Sequence, residues 1–345
     1  MANYSQIDLL ARRRWLISSQ SENYIVFADP VVAQICAVNW GDGVGITPSQ
    51  ARRVTSVGTV FRDNTQIVSF DELGEYFTRL TTIPGNSSSP YGAFAGCTAL
   101  ESITFPSSLT SIGHSAFRGC ENLEGNIILP SVSVADDAFM GCTKIHDMTV
   151  ASTTVGCIWG AGDGTGTAII IGNAQPRSYS TTNKPHFKHI VISGDTIRTG
   201  NGMCIAYGPA DLYSLRVLGN MYIGGYRSLG SFSTNRLEFF ELMGLRTGGN
   251  LFYQANGPKS GGIIHFGYNG IACPTSNISD SSYSATILNR LSKIYVGDGS
   301  SQEADQAVLD LYLADPGWAT YSDKLDLWYN YDGEYKTPPT IPTNQ

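Results

Sequence analysis

A chain of 345 residues that is 42% hydrophobic and only 15% charged has ample apolar material for a buried core, which excludes a disordered polymer, and its 38 glycines point to frequent tight turns. Its net charge of -7 excludes a broad phosphate-neutralising face, so no nucleic-acid partner is expected. No run approaches the roughly 18 apolar residues of a membrane span, so no membrane insertion is expected, and Met1 to Gln20, with Asp8 and three arginines at its centre, does not read as a secretory signal.

Residues 1–22 pattern as a short amphipathic helix carrying Ile7, Leu10, Trp15 and Ile17, with Arg12-Arg13-Arg14 as a solvated helix end. Two readings stand: the helix folds back on the next segment, or those four apolar residues anchor the chain in a partner, such as other virion proteins. Residues 23–79 read as a helical N-terminal cap. Asp29-Pro30 has the form of an N-cap and first helical residue, with Val31, Val32, Ile35, Cys36 and Val38 as the apolar stripe and a stop at Asn39 and Gly41. A second helix is expected from Thr47-Pro48 through Ala51 and Val54. The intervening Asn39 to Thr47 resembles a calcium loop, but Gly41, Gly43 and Gln50 stand where carboxylate ligands belong, so a structural turn is expected.

The central observation is a repeat. Ala93-Phe94-Ala95-Gly96-Cys97, Ala116-Phe117-Arg118-Gly119-Cys120 and Ala138-Phe139-Met140-Gly141-Cys142 recur at periods of 117 − 94 = 23 and 139 − 117 = 22. Each copy continues into a short apolar strand: Ile103 to Pro106, Ile127 to Pro130 and Met148 to Val150, the first two closed by proline. Such a unit cannot bury its own apolar side and must stack on neighbours, which puts equivalent residues in columns. An aromatic column of Phe94, Phe117 and Phe139 is expected beside a column of Cys97, Cys120 and Cys142, either buried free thiols or, alternatively, disulfides between adjacent turns. Leu80-Thr81-Thr82-Ile83, 23 residues before Ile103, is expected to supply the first turn.

Beyond residue 150 the signature fades, but strand runs continue at Ile169, Ile190, Leu215, Leu237, Ile263 and Ile294, so the solenoid is expected to span 80–297, regular to 150 and degenerate after. Gly160 to Gly166 precedes a strand and lacks phosphate-loop spacing, which makes it a flexible inter-strand loop. His186 and His189 share an H-x-x-H spacing, but Lys184 and Lys188 oppose a cation, and His265 reads as a surface or satisfied core residue. No catalytic motif, metal site or cofactor is expected. Aromatic residues make good binding anchors, so Tyr179, Tyr207, Tyr213, Tyr222, Tyr226, Tyr253 and Tyr268 in the irregular turns are candidate ligand-binding residues; the alternative is that they pack wider turns. Residues 298–333 read as a helical C-terminal cap, with Ala304, Val308, Leu311 and Tyr312 on one helix face and a second helix over Thr320 to Tyr329. Residues 334–345 form a proline-rich extended tail.

The pattern A-F-x-G-C-x-x-L-x-x-I-x-x-P-x-x-L-x-x-I-G over Ala93 to Gly113 resembles the BspA-like leucine-rich repeats. Ile25 to Leu73 and Lys293 to Tyr329 are similar to the segments flanking the repeats in Bacteroides-type members. The resemblance implies a mainly β, right-handed leucine-rich-repeat solenoid with parallel strands and helical caps, associated with adhesion to a protein or glycan on a cell surface rather than with catalysis. Relatives lacking an export signal occur among phage products. The expected role is a phage virion or tail-associated component for host-surface recognition, sited on a virion or extracellular surface; the alternative is a bacterial surface adhesin or interaction scaffold, or a cytoplasmic protein.

Overall fold

The computed structural model describes residues 23–87, 92–172, 184–194, 196–199, 212–223, 236–245, 258–267 and 284–341. At the N-terminal end one oxygen of Asp29 accepts the N–H groups of Val31 (2.8 Å) and Val32 (3.3 Å) and the other accepts that of Val68 (2.6 Å), so this carboxylate both starts helix α1 (Pro30–Trp40) and ties it to the first coil. Helix α1 buries Val32, Cys36 and Ala37. Val38, expected on the same stripe, is 64% exposed, because two residues beyond Cys36 lies about 200° around a helix of 3.6 residues per turn. Helix α2 (Pro48–Ala51) is a single capped turn that ends before Val54, which packs into the core from the following segment.

The solenoid is built from parallel strands: β1 (Ser69–Phe70), β2 (Thr82–Ile83), β3 (Ser102–Ile103), β4 (Ser111–Ile112), β5 (Glu124–Val134), β6 (Lys144–Ala151), β7 (Thr167–Ile171), β8 (His189–Ser193), β9 (Thr196–Thr199), β10 (Ser214–Ile223), β11 (Phe239–Leu245), β12 (Ile263–Phe266), β13 (Lys293–Val296) and β14 (Leu325–Leu327). Among the described residues twelve of them form one sheet, in the order β14-β13-β12-β11-β10-β8-β7-β6-β5-β4-β2 with β9 beside β10, while β1 and β3 form a separate pair. Short helix α3 (Glu72–Tyr76) follows β1, and α4 (Ser284–Arg290) leads into β13.

Each A-F-x-G-C turn is a structural rung. The N–H of Phe94 donates to the carbonyl of Ala116 (2.8 Å) and that of Phe117 to Ala138 (2.7 Å), linking successive turns as a sheet would. Gly96, Gly119 and Gly141 have φ values of 76°, 75° and 87°, a left-handed backbone that favours glycine and explains that position of the motif. The aromatic column forms as expected and gains a fourth ring: Phe61 on Phe94 at 5.0 Å, Phe94 on Phe117 at 5.1 Å and Phe117 on Phe139 at 5.0 Å, the last two within 3° of parallel. The cysteines are free thiols that bond between turns without a disulfide: Cys97 donates to the carbonyl of Phe61 (3.0 Å), Cys120 to Phe94 (3.2 Å) and Cys142 to Phe117 (3.1 Å). Burial pushes the Cys97 thiol up to about 12, which keeps its proton for that bond.

Several expectations about register and elements are corrected. Strand β2, expected one period before Ile103, pairs with β4, and it is β1 that pairs with β3, because each repeat contributes two strand segments, on separate ladders in the first coils. Pro130 does not end its strand: β5 runs through it with a register shift between Leu129 and Ser133, the kind of break where a missing N–H is tolerated. Leu237 precedes its strand, and Phe240 is the residue aligned with Leu215, three positions later than expected. Residues 325–327, expected in a helix, form β14 and pair with β13, since Leu325 and Leu327 face inward on either side of Asp326 with a period of two. On helix α5 (Gln302–Ala314) the buried face is Asp305, Val308 and Tyr312, while Ala304 and Leu311 are exposed. The Gly160 to Gly166 segment is a tied turn: Asp163 accepts the N–H groups of Thr165 (2.8 Å) and Gly166 (3.2 Å).

Replacing the central ring of the column removes stacking on both sides and leaves a cavity. Phe117→Ala is expected to destabilise the protein by about 3–5 kcal/mol, read from the guanidinium unfolding midpoint. A loss below about 1 kcal/mol would mean that the coils do not share this column as core.

Candidate functional site

Period-two alternation in strands β7 to β14 divides their residues into inner and outer rows. Ile190, Leu215, Phe240, Ile264, Ile294 and Leu325 stack in register inside the solenoid. The next residues of the same strands, Val191, Arg216, Glu241, His265, Tyr295 and Asp326, stack on the outer face, beside a second outer row of His189, Ser214, Phe239 and Ile263.

The middle of the first outer row is a buried charged network. Arg216 Nε donates to Glu241 Oε2 (2.6 Å), and Glu241 Oε1 meets His265 Nδ1 (2.8 Å). His265 Nε2 lies 2.8 Å from the carbonyl of Gly297. Both ring nitrogens thus face oxygen atoms, which fixes the plane of the imidazole. The ring lies flat on Trp328 at 3.8 Å and 10°. Burial alone would raise the Glu241 carboxyl, but the hydrogen bonds from His265 and Arg216 outweigh it and hold this group below the usual glutamate range.

Helix α5 places Trp328. Buried Asp305 accepts the N–H groups of Asp298 (2.9 Å), Gly299 (3.0 Å) and Tyr329 (2.7 Å), pinning the turn after β13 and the turn after β14 to one carboxylate. From there the C-terminal segment returns across the sheet as a strap. Tyr335 stacks on Phe239 at 4.4 Å and 4°, Lys336 Nζ donates to the carbonyl of Trp328, and Arg216 Nη1 donates to the carbonyl of Thr337 (3.0 Å). Phe239, Trp328 and Tyr331 form a small apolar cluster of their own beneath it, with Ile263, Tyr295 and Tyr335 against its edge. Between strap and sheet lies a cleft of about 230 Å³, floored by Thr167, His189, Ser214 and Arg216 and walled by Glu334, Tyr335 and Pro339. His189 Nδ1 contacts Ser214 Oγ at 2.7 Å, and burial, reinforced by neighbouring Lys188, pulls the imidazole below its ordinary range.

Residues 78–157 match the family model of the BspA type leucine rich repeat region (6 copies). Over that stretch the chain is a BspA-type leucine-rich-repeat region. No curated protein matches it. The matched repeats are the Phe and Cys columns, whereas the cleft belongs to the later coils of the parallel solenoid and to its C-terminal strap. Solenoids of this kind act through extended surfaces and serve as binding scaffolds.

Of the tyrosines expected to bind a ligand, Tyr213 is half-buried just ahead of β10, with Lys188 Nζ 4.9 Å from its ring centre. Tyr222 belongs to strand β10. Tyr179, Tyr207, Tyr226, Tyr253 and Tyr268 lie outside the described residues, as do Ile7, Leu10, Trp15 and Ile17. His189 turns toward Ser214, and among the described residues no group of three or more His, Cys, Asp or Glu side chains could hold a metal ion. Sequence reasoning missed the Arg216–Glu241–His265 network, although a signal was present: each is a polar residue between two apolar ones, at spacings of 241 − 216 = 25 and 265 − 241 = 24. It also missed Glu334, Tyr335 and Thr337, which were assigned to an extended tail.

The depressed Glu241 carboxyl gives a signed prediction. Its contribution to stability is fully present above the ordinary glutamate range and is lost as pH falls through its lower folded value. Glu241→Gln removes that part of the acid transition and leaves Arg216 without its counter-charge and His265 without its carboxylate partner. It is expected to cost about 3–5 kcal/mol at neutral pH while flattening stability against pH below 5. Guanidinium midpoints across pH 3–7 measure both; an unchanged acid limb would show that Glu241 is not the linked group.

Proposed function

We propose that this protein is a non-catalytic attachment protein, a phage virion or tail-associated component that recognises a protein or glycan on a host surface. The observation that carries the reading is the continuous parallel sheet with an outer face held rigid by the Arg216–Glu241–His265 network and a recessed polar cleft at its edge. Attachment of this sort needs fixed polar groups on a stiff scaffold and no bond-making. Residues 1–22 complete the reading as the anchor to the particle, through Ile7, Leu10, Trp15 and Ile17. The protein then acts on a virion or extracellular surface.

Fluorescently labelled full-length protein is expected to bind host cells saturably, with the signal reduced by protease or glycosidase treatment of the cells. Absence of saturable binding to any candidate host would sink the reading. Separately, Leu10→Glu with Trp15→Glu is expected to leave the circular dichroism spectrum and unfolding midpoint unchanged, yet abolish incorporation into particles. Normal incorporation of the double variant would remove residues 1–22 as the anchor.

A further inference from the structure

The cleft under the strap has a lining that restricts what can occupy it. Its floor carries donors. Arg216 spends Nε on Glu241 and Nη1 on Thr337, and its buried Nη2 has no hydrogen-bond partner. That nitrogen is closed to solvent, so Arg216 supports the floor from below, while Thr167 and His189 line it. His189 commits Nδ1 to Ser214, and Nε2 faces no partner among the described residues. The wall carries an acceptor: the exposed Glu334 carboxylate.

A ligand must therefore accept hydrogen bonds on one side and donate them on the other. Hydroxyl groups do both, and a ring bearing adjacent hydroxyls does so within one small group. Charge narrows the choice further. Arg216 is already paired with Glu241, and Glu334 adds a negative charge that opposes an anionic ligand. Size narrows it again: 230 Å³ falls below the roughly 300–1,000 Å³ of sites for drug-sized molecules and suits a single ring, with Tyr335 and Pro339 as apolar walls for its C–H face.

We propose that this cleft is a binding subsite for one uncharged sugar ring, with Thr167 and His189 on its floor donating to the ring's oxygens and Glu334 accepting from its hydroxyls. The proposal rests on the attachment reading above and assigns it a location and a ligand class.

Saturation-transfer NMR and calorimetric titration of the full chain with methyl glucoside, methyl galactoside, methyl mannoside and glucuronate test it. At least one neutral glycoside is expected to bind with Kd of about 1 mM, and glucuronate at least about tenfold more weakly. Glu334→Gln, at an exposed position, and Thr167→Val, on the cleft floor, are each expected to weaken the neutral glycoside by roughly tenfold with the unfolding midpoint unchanged. Binding of none of the neutral glycosides, tighter binding of glucuronate, or wild-type affinity in both variants would each overturn the subsite. If glycoside binding is nil while labelled protein still binds host cells, the subsite falls and the attachment reading stands; if cell binding is also absent, both fall.

Discussion

Parallel, in-register stacking is the constraint on which the rest of this molecule depends. Each coil sits about 4.8 Å above the last, so a side chain meets its equivalents above and below before it meets anything else. A column must then be of a kind that tolerates its own repetition. Phenylalanine does, by stacking Phe61, Phe94, Phe117 and Phe139 nearly face to face. Cysteine does as well, because each thiol reaches a carbonyl of the turn before it and is small enough to leave the rings undisturbed.

The outer row of the later coils solves the same problem with charge. Repetition of one charged residue there would stack like charges, whereas Arg216 and His265 flank the Glu241 carboxylate and share it. Burying such a network stabilises only when its hydrogen bonds are nearly complete, and the completion comes from outside the row: the Gly297 carbonyl, the Trp328 ring and the Thr337 carbonyl. The end cap and strap are thus part of the same device as the sheet. Asp305 on α5 fixes both turns that carry Gly297 and Trp328 to their places.

That arrangement has a functional side. A solenoid presents a long face, and here the strap covers Phe239 and the neighbouring aromatic cluster while leaving polar edges open beside His189. Rigidity and recess come from the same contacts, which meet at Arg216.

The residues alone determined the repeat, its period, the Phe and Cys columns, the helix begun by Asp29 and the family resemblance, because these depend on neighbours within one coil or on a pattern that recurs unchanged. They misplaced β11 by three residues, since Leu237 is as apolar as the true inward residue Phe240, and pattern alone cannot choose between two apolar registers. The expected helix over 320–329 failed for a similar reason: Leu325, Asp326 and Leu327 suit either period until β13 supplies a partner. Only the tertiary structure decided the cleft. Its defining bond, from Arg216 to Thr337, joins positions 121 apart in the chain, and a contact at that separation leaves no local periodicity to read.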